Sequence, residues 1–557
     1  MFTMDSLAFL AIAVAILFAA VQRGGDGART MSEKTHRAIC GAAIAAGVLV
    51  RLARLTSLPA GISAEEALVG VQAKALWQTG GFLFGQGLTT QLSQWAGETT
   101  GPLLAVLTAP FVGLFGLSKL TVRLPLALLS CAAMPAAYGL GEALSGRRAA
   151  RWMLLIAALC PIFVLEARMT CGSCAALYLL PIALCLIARG VTKPAALYPG
   201  MIVLALTAYA QDMYFFIAPA AILACAIIAL IFGRRKRHAV ISGTIGLLLC
   251  VPAMLTAFVN LTGAEGMTLL GLIRIPRLVG FEKAFMAENW SVGDKLWAVL
   301  IGGVFQVLRH ENIHQAMYTP DGMLALFMFS LPLMVLGALA LFARWTDGRR
   351  AAREKAAARA MVAATCAVTL AALVMFGSVG TLNTNGTTGL FDHSALILFD
   401  AVLMTAGLCT IERKNLRCAA AMVALMAVNF AWLAVQLFGG RYQANANVYF
   451  PGFEQMAARA AEIQAETGEK INVTGNVYPH IQPSDGAEMM FLYATDADMR
   501  TAEAERGTRY ETIYVSDDMQ PEADQIYLAR ADEISNWDLE GFDYEESEGY
   551  ALIYPAR

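Results

Sequence analysis

Charged side chains are scarce in this chain. Of its 557 residues, 15% are Asp, Glu, Lys or Arg and 57% are hydrophobic, and the mean hydropathy is +0.56. Ordinary soluble proteins carry about 25% charged residues, so the composition excludes that class. Apolar runs of about 20 residues, the length that crosses a bilayer, recur along the chain. We therefore expect a polytopic, mainly α-helical membrane protein.

Cysteine is absent from the last part of the chain, and basic residues are few there. All 11 cysteines precede residue 440, which excludes a disulfide framework in 441–557. This segment has 23 Asp and Glu against 8 Lys and Arg, a net charge of −15, whereas residues 1–440 have 20 against 33, a net charge of +13. A segment this acidic is excluded as a binder of nucleic acid.

Basic residues are also missing before the first apolar run, 5–22, and follow it instead. A cleavable signal peptide has the opposite order, so we interpret this run as a span with its N-terminus outside. About twelve spans are predicted, near residues 5–22, 38–55, 123–144, 152–167, 174–190, 197–211, 214–232, 239–258, 322–343, 360–377, 392–410 and 418–438.

This arrangement puts every basic loop on the cytoplasmic side, as the positive-inside rule requires. This assignment of sides holds only if the apolar stretch 102–117 does not span the membrane. We therefore predict that this stretch is a helix that lies at the outer surface of the membrane or re-enters the membrane from that side. The organisation is then an N-terminal span and cytoplasmic linker (1–37), a membrane domain (38–440) and an acidic domain (441–557). Two large loops, 56–122 and 259–321, lie outside with the acidic domain, and a plasma-membrane location is expected.

The acidic segment alternates between helix-like and strand-like runs. AAEIQAE predicts a helix, whereas INVTGNVY, TIYVSD, QIYLAR and YALIY are short runs rich in Ile, Val and Tyr, which predict strands. We expect a small extracytoplasmic α/β domain.

Two adjacent acids, Glu65 and Glu66, stand where a membrane helix reaches the outer surface, just after Pro59 and Gly61. A carboxylate at that position could act as a general base or hold a metal ion. A solvated loop is an equally open interpretation.

Three stretches around these acids carry a resemblance to a known family. LPAGISAEEALVGVQAKALWQTGG, PLLAVLTAPFVGLFGLSKLTVRLPLALLS and SGRRAARW resemble the type C membrane glycosyltransferases, in particular bacterial relatives of protein O-mannosyltransferases and lipid A aminoarabinose transferases. The resemblance implies inverting transfer of a hexose or pentose on the outer face. The donor would be a polyprenyl-phosphate-linked sugar, and the acceptor an unknown glycan, lipid or protein, among membrane lipids.

The resemblance also implies site residues. Glu65 takes the place of the base, with Glu66 as its neighbour, and CPIFVLEARMT matches the helix end whose arginine, here Arg168, lies beside the carrier phosphate. LTAYAQDMYFFIAPA resembles the tyrosine-rich helix and implies Tyr209 and Tyr214.

Two departures from the family pattern matter. Glu65 stands where the family usually has an Asp. The family's second acid would fall near Gly172, where this chain has no acid, so Glu166 is the acid that could substitute for it. Asp212 and Arg123 are further candidates for substrate binding. No cofactor is certain, and a divalent metal ion stays possible.

Three other functions stay open. The first is a zinc metallopeptidase, because His310-Glu311-Asn312-Ile313-His314 matches HExxH, in which two histidines one helical turn apart bind zinc and the Glu acts as base, although no third ligand is evident. The missing acid allows a non-catalytic relative. A transporter of lipid-linked sugars is disfavoured because the spans are expected to carry almost no buried charge.

Overall fold

The computed structural model describes residues 4–22, 31–85, 87–93, 99–170, 174–211, 213–277, 291–297, 324–346, 353–376, 394–439, 450–476, 486–516 and 518–556. The helices up to residue 262 are α1 Met4–Gln22, α2 Glu33–Leu52, α3 Ala64–Thr79, α4 Leu103–Phe115, α5 Lys119–Ser145, α6 Arg147–Leu159, α7 Pro161–Leu165, α8 Cys174–Gly190, α9 Leu197–Leu206, α10 Tyr214–Phe232 and α11 Lys236–Thr262. The membrane part continues with α12 Val292–Trp297, α13 Ser330–Thr346, α14 Arg353–Phe376, α15 Ser394–Lys414 and α16 Leu416–Phe438.

The chain is a multi-pass membrane protein. Seven described helices are long and apolar enough to span, or up to eight if the bent pair α6–α7 forms one span. Each of the twelve predicted spans contains a helix, but four of those helices are shorter than 18 residues in their apolar part. The mainly helical class is therefore confirmed, whereas the count of twelve is not.

The bend between α6 and α7 places the next turn of the chain. The two helices differ in direction by 60°, and Pro161 begins α7, a position where its missing N–H costs nothing. The 3-10 turn Glu166–Arg168 follows directly. The bend therefore delivers Glu166 and Arg168 together to the end of this helix pair.

The first and second outer loops share a small sheet. Strand β1 (Leu88–Thr89) pairs in parallel with β5 (Ile273–Ile275), which pairs antiparallel with β4 (Met267–Leu269), while β2 (Leu92–Ser93) pairs with β3 (Thr99–Thr100). Helix α4 has 13 residues, about 20 Å at 1.5 Å per residue. That is shorter than a bilayer core of about 30 Å, and the position of 102–117 at the outer surface stays a prediction.

The C-terminal segment contains the small sheet expected from the sequence. Its elements are α17 Pro451–Thr467, β6 Lys470–Thr474, α18 Gly486–Ala494, α19 Ala502–Glu505, β7 Tyr510–Ile513, β8 Gln525–Arg530, β9 Phe542–Ser547 and β10 Tyr550–Pro555. The strand order is β7-β6-β8-β10-β9, with parallel pairing of β6 to β7 and β8 and antiparallel pairing around β10. Strand β9 was not predicted.

Charge is buried within the spans more often than the sequence predicts. Arg51 in α2, Arg151 in α6, and Asp400 and Glu412 in α15 are all buried, so the expectation of almost no buried charge is wrong. Arg151 Nη2 donates to Glu412 Oε2 (2.5 Å), and Trp152 Nε1 donates to the same oxygen (2.7 Å). Pairing and hydrogen bonding lower the cost of charge in the membrane, and sequence alone does not show such partners.

Candidate functional site

The first turn of α3 presents both candidate acids. Ser63 caps this helix: its hydroxyl accepts from the Glu66 N–H (3.2 Å), and Glu66 Oε2 accepts from the Ser63 N–H (3.4 Å). This reciprocal capping box satisfies two backbone donors that a helix start leaves unpaired. Gly80, in the left-handed conformation, ends the helix. The capping box holds the Glu66 carboxylate at the start of the helix.

Glu66 is held by a buried ion pair with Arg123 of α5. Arg123 Nε and Nη2 donate to the two carboxylate oxygens, both at 2.8 Å, and the side chains are 0% and 1% exposed. The Thr170 N–H also donates to Glu66 Oε1 (3.2 Å). A bidentate pair of this kind fixes geometry as well as charge. Glu66 therefore ties α3, α5 and the turn after α7 to one another.

Arg123 also holds the loop that leads into α3. Its remaining guanidinium donors reach three backbone carbonyls at 2.7–3.1 Å, those of Leu55, Pro59 and Gly61. All five N–H donors of an arginine are thus engaged. These contacts give Arg123 a structural role, and its part in substrate binding stays a prediction.

Arg168 acts on the same loop from the other side. It is 1% exposed, and its guanidinium donates at 2.6–3.3 Å to the carbonyls of Val50, Arg51, Arg54 and Leu58. These contacts satisfy carbonyls that the end of α2 leaves unpaired. The chain between α2 and α3 is therefore held by two arginines, and a role of Arg168 towards phosphate stays a prediction.

Glu65 differs from its neighbour in being half-buried. Its carboxylate lies within electrostatic range of Glu166, which is 7% exposed and accepts from Cys174 Sγ (2.8 Å). Glu65 and Glu166 are thus neighbours near the start of α3, and the substitution of Glu166 for the family's second acid stays a prediction.

Tyr209 lies in the connection between α9 and α10, and Tyr214 is the first residue of α10. The Tyr209 hydroxyl donates to the Leu249 carbonyl of α11 (2.6 Å), and a Cβ on Gly101 would lie 2.0 Å from the Tyr209 carbonyl oxygen. Tyr214 is fully buried at the start of α10. Tyr209 therefore connects the first outer loop to α11, and the shaping of a sugar pocket by either tyrosine stays a prediction.

Several predicted residues lie outside the described part of the chain, namely Asp212, His310, Glu311 and His314. Among the residues that the structure does describe, no group of three or more His, Cys, Asp or Glu is placed to hold a metal ion. Glu66 is committed to Arg123, so it does not fit as a metal ligand. The carboxylates of Glu65 and Glu166 are then the remaining acids of the site, and the reaction proposed below uses no metal ion.

Sequence reasoning missed three residues that organise the site, Ser63, Thr170 and Cys174. Ser63 was visible, because Ser-x-x-Glu before an apolar run is the signature of a capping box. Thr170 and Cys174 act through contacts with Glu66 and Glu166 that only the fold creates. The arrangement is a half-buried acid, Glu65, beside a second carboxyl, that of Glu166, on a helix start that is rigidly held. It suits general-base chemistry.

Comparison with known proteins at the sequence level finds nothing. No family model matches the chain, and no curated protein matches it either.

Comparison of structures does find similar proteins. The chain is similar to ArnT from Cupriavidus metallidurans bound to undecaprenyl phosphate (TM-score 0.51, 11% identity, 93% of this chain and 98% of that chain). It is also similar to the same enzyme in the apo state (TM-score 0.46, 13% identity, 94% and 98%). A third is the oligosaccharyltransferase AglB from Archaeoglobus fulgidus, in complex with an inhibitory peptide and a dolichol-phosphate (TM-score 0.44, 12% identity, 83% and 63%).

ArnT is a type C glycosyltransferase, and the match to its complex with undecaprenyl phosphate extends over nearly the whole of both chains. The resemblance stated from the sequence is therefore confirmed at the level of the fold.

Proposed function

We propose that this chain, a multi-pass membrane protein with the fold of the type C glycosyltransferases, transfers a sugar from a polyprenyl-phosphate carrier to an acceptor hydroxyl. The transfer takes place on the extracytoplasmic face, where the N-terminus and the C-terminal domain also lie. The observation that carries the proposal is the half-buried Glu65 beside Glu166, on a helix start fixed by the Glu66–Arg123 pair. The fold of ArnT bound to undecaprenyl phosphate supports the class of donor.

In this reaction Glu65 is the general base. Its carboxylate takes the proton of the acceptor hydroxyl while the acceptor oxygen forms a bond to the anomeric carbon of the sugar. The bond from that carbon to the phosphate oxygen breaks, and its electron pair leaves with the polyprenyl phosphate. A single displacement inverts the anomeric centre. A positioned base contributes about 10²- to 10⁴-fold to such a rate.

Glu166 and Glu66 have different parts. Glu166 lies within electrostatic range of Glu65 and supplies the second carboxyl of the site. Glu66 acts through Arg123 and the loop before α3, so it is a positioning residue. This division explains how two adjacent acids can have separate roles: one side chain is half-buried, and the other is 1% exposed and paired.

The leaving phosphate needs a cation at the outer surface. The resemblance to the family implies that Arg168 supplies this cation. The structure offers Arg274 on β5 as a second candidate, because its side chain is exposed and donates to the Gly85 carbonyl of the first outer loop (3.0 Å). An arginine can bind phosphate through two parallel hydrogen bonds.

The test is turnover of a panel of polyprenyl-phosphate sugars, both hexoses and pentoses, by the purified chain in nanodiscs. Release of polyprenyl phosphate is the readout. The natural acceptor need not be known, because water or a simple alcohol can accept the sugar slowly in its place. We expect release by the wild type and a loss of about 10²- to 10⁴-fold in Glu65→Gln. Glu265→Gln is the matched control, because Glu265 is exposed on the same side.

Equal turnover in Glu65→Gln and the wild type would contradict the assignment of the base. If the chain binds the lipid but releases polyprenyl phosphate from no member of the panel, the result would contradict the transferase itself. It would favour a non-catalytic carrier protein.

A further inference from the structure

The acidic C-terminal domain shares a hydrophobic core with α3. Ala64, Leu68 and Val71 of α3 are buried in one cluster with residues of the domain, among them Phe453 and Tyr493. Helix α3 is therefore not packed on the membrane part alone. One of its faces belongs to the core of a domain that begins almost 400 residues later in the sequence.

Glycines allow the two parts to approach closely. A Cβ on Gly61 would lie 2.8 Å from the Pro451 nitrogen. A Cβ on Gly70, one turn along α3 from Glu66, would lie 2.8 Å from Val122 Cγ2 and 3.3 Å from the Tyr493 ring. A side chain at either position would need its neighbours to shift. The contact is thus built into the backbone on both sides of Glu65 and Glu66.

Polar contacts surround this shared core. Lys74 Nζ pairs with Asp496 Oδ1 (2.6 Å), and Lys119 Nζ pairs with Glu454 Oε2 (2.7 Å). Hydrogen bonds from the Met499 N–H to Gln78 Oε1 and from the Gly85 N–H to Glu503 Oε1 also join the two parts, and Arg506 lies over the Phe84 ring. In the two ion pairs the basic residue belongs to the outer loop and the acid to the domain. The negative charge of the domain is therefore used in part to hold the loop.

Tyr493 of α18 is the contact next to the site. Its side chain is 6% exposed. Burial, together with the nearby carboxylates of Glu454 and Glu66, raises the pKa of its hydroxyl well above the usual range, and Arg123 opposes this effect. The ring thus lies against Gly70 and beside the Glu66–Arg123 pair. Its hydroxyl lies within electrostatic range of both Glu66 and Arg123.

We propose that the C-terminal domain is a clamp on α3, with Tyr493 as a positioning residue that keeps the Glu66–Arg123 pair enclosed and so holds Glu65 in place. The domain is then part of the framework of the site and not an independent module that recognises acceptors. The link from the clamp to catalysis rests on the function proposed above, whereas the clamp itself does not.

Hydrogen exchange of the α3 amides in nanodiscs tests the clamp without any substrate. In Tyr493→Ala we expect exchange in 64–79 to become about tenfold faster or more, since removal of a buried ring opens the contact. Tyr493→Phe keeps the ring and should exchange as the wild type does. Unchanged exchange of α3 in Tyr493→Ala would overturn the proposal.

A matched control separates the clamp from general instability of the domain. Tyr527 is also buried, but it packs with Trp537 on the opposite face of the sheet, away from α3. Tyr527→Ala should speed exchange in β8 and β10 and leave α3 unchanged. If both alanine variants loosen α3 equally, the proposed role of Tyr493 is wrong.

A charge exchange provides a variant with an intact core. Lys119→Glu and Glu454→Lys should each speed α3 exchange by about two- to fivefold, the range for a partly exposed pair, and the double variant should recover at least part of this change. No recovery would contradict the role of the pair. If Tyr493→Ala exchanges faster in α3 but releases polyprenyl phosphate at the wild-type rate, the clamp stands and only its link to catalysis is refuted.

Discussion

The ion pair between Arg123 and Glu66 makes the sharpest prediction about the framework of the site. Arg123→Met keeps an unbranched apolar stem but removes the guanidinium, and it leaves Glu66, which is 1% exposed, without its ion-pair partner. Removing one partner of a buried pair costs about 3–5 kcal/mol. The same substitution frees three loop carbonyls, those of Leu55, Pro59 and Gly61. We therefore expect the free energy of unfolding to fall by at least about 3 kcal/mol.

Unfolding titrations in mixed micelles, followed by tryptophan fluorescence and circular dichroism, measure this loss. Arg54→Met is the control, because Arg54 lies in the same loop with an exposed side chain, and it should change stability by less than about 0.5 kcal/mol. The double variant Arg123→Met with Glu66→Met buries no lone charge. It should therefore be more stable than Arg123→Met alone.

A value for Arg123→Met within about 1 kcal/mol of the wild type would refute the reasoning. So would a double variant that is no more stable than Arg123→Met alone. Either result would mean that the pair is not buried in the way its contacts indicate.

Other predictions concern the helix cap and helix packing. Ser63→Ala should lower stability by about 1 kcal/mol through loss of the cap on α3, while Ser63→Asp, which also caps, should stay near the wild type in the same titration. Gly337→Ala should lower the yield of folded protein and its unfolding midpoint, because a Cβ there would lie 1.9 Å from the Leu403 carbonyl oxygen of α15. Gly41→Ala in α2, where a Cβ meets nothing within 4 Å, should raise the midpoint, since Ala is the better helix former. Equal effects of the two glycine substitutions would contradict the close helix packing.

Much of the fold could be predicted from the sequence because bilayer spans leave a strong signal. Apolar length and the placement of basic loops predicted the helices, and the runs Gln525–Arg530 and Tyr550–Pro555 match strands β8 and β10. Strand β9, Phe542–Ser547, was missed because it is an acidic edge strand with a mostly exposed face. Such a strand has little apolar patterning to detect.

The site could be predicted only in part. The sequence drew attention to Glu65 and Glu66 but could not distinguish them, because the difference comes from Arg123, 57 residues away. The contact between α3 and the C-terminal domain left no signal at all, since Lys74 and Asp496 are 422 residues apart. Neither partner is unusual in its local sequence. The local pattern predicts a helix start with acids, and the fold decides which acid is paired with Arg123.

The most direct test of the central claim is a structure of the chain in nanodiscs with undecaprenyl phosphate bound. The account predicts that the phosphate lies at the outer end of α3, with Glu65 and Glu166 facing the space that the sugar would occupy. A phosphate bound elsewhere, with Glu65 turned away from it, would contradict the claim that these acids form the site of sugar transfer.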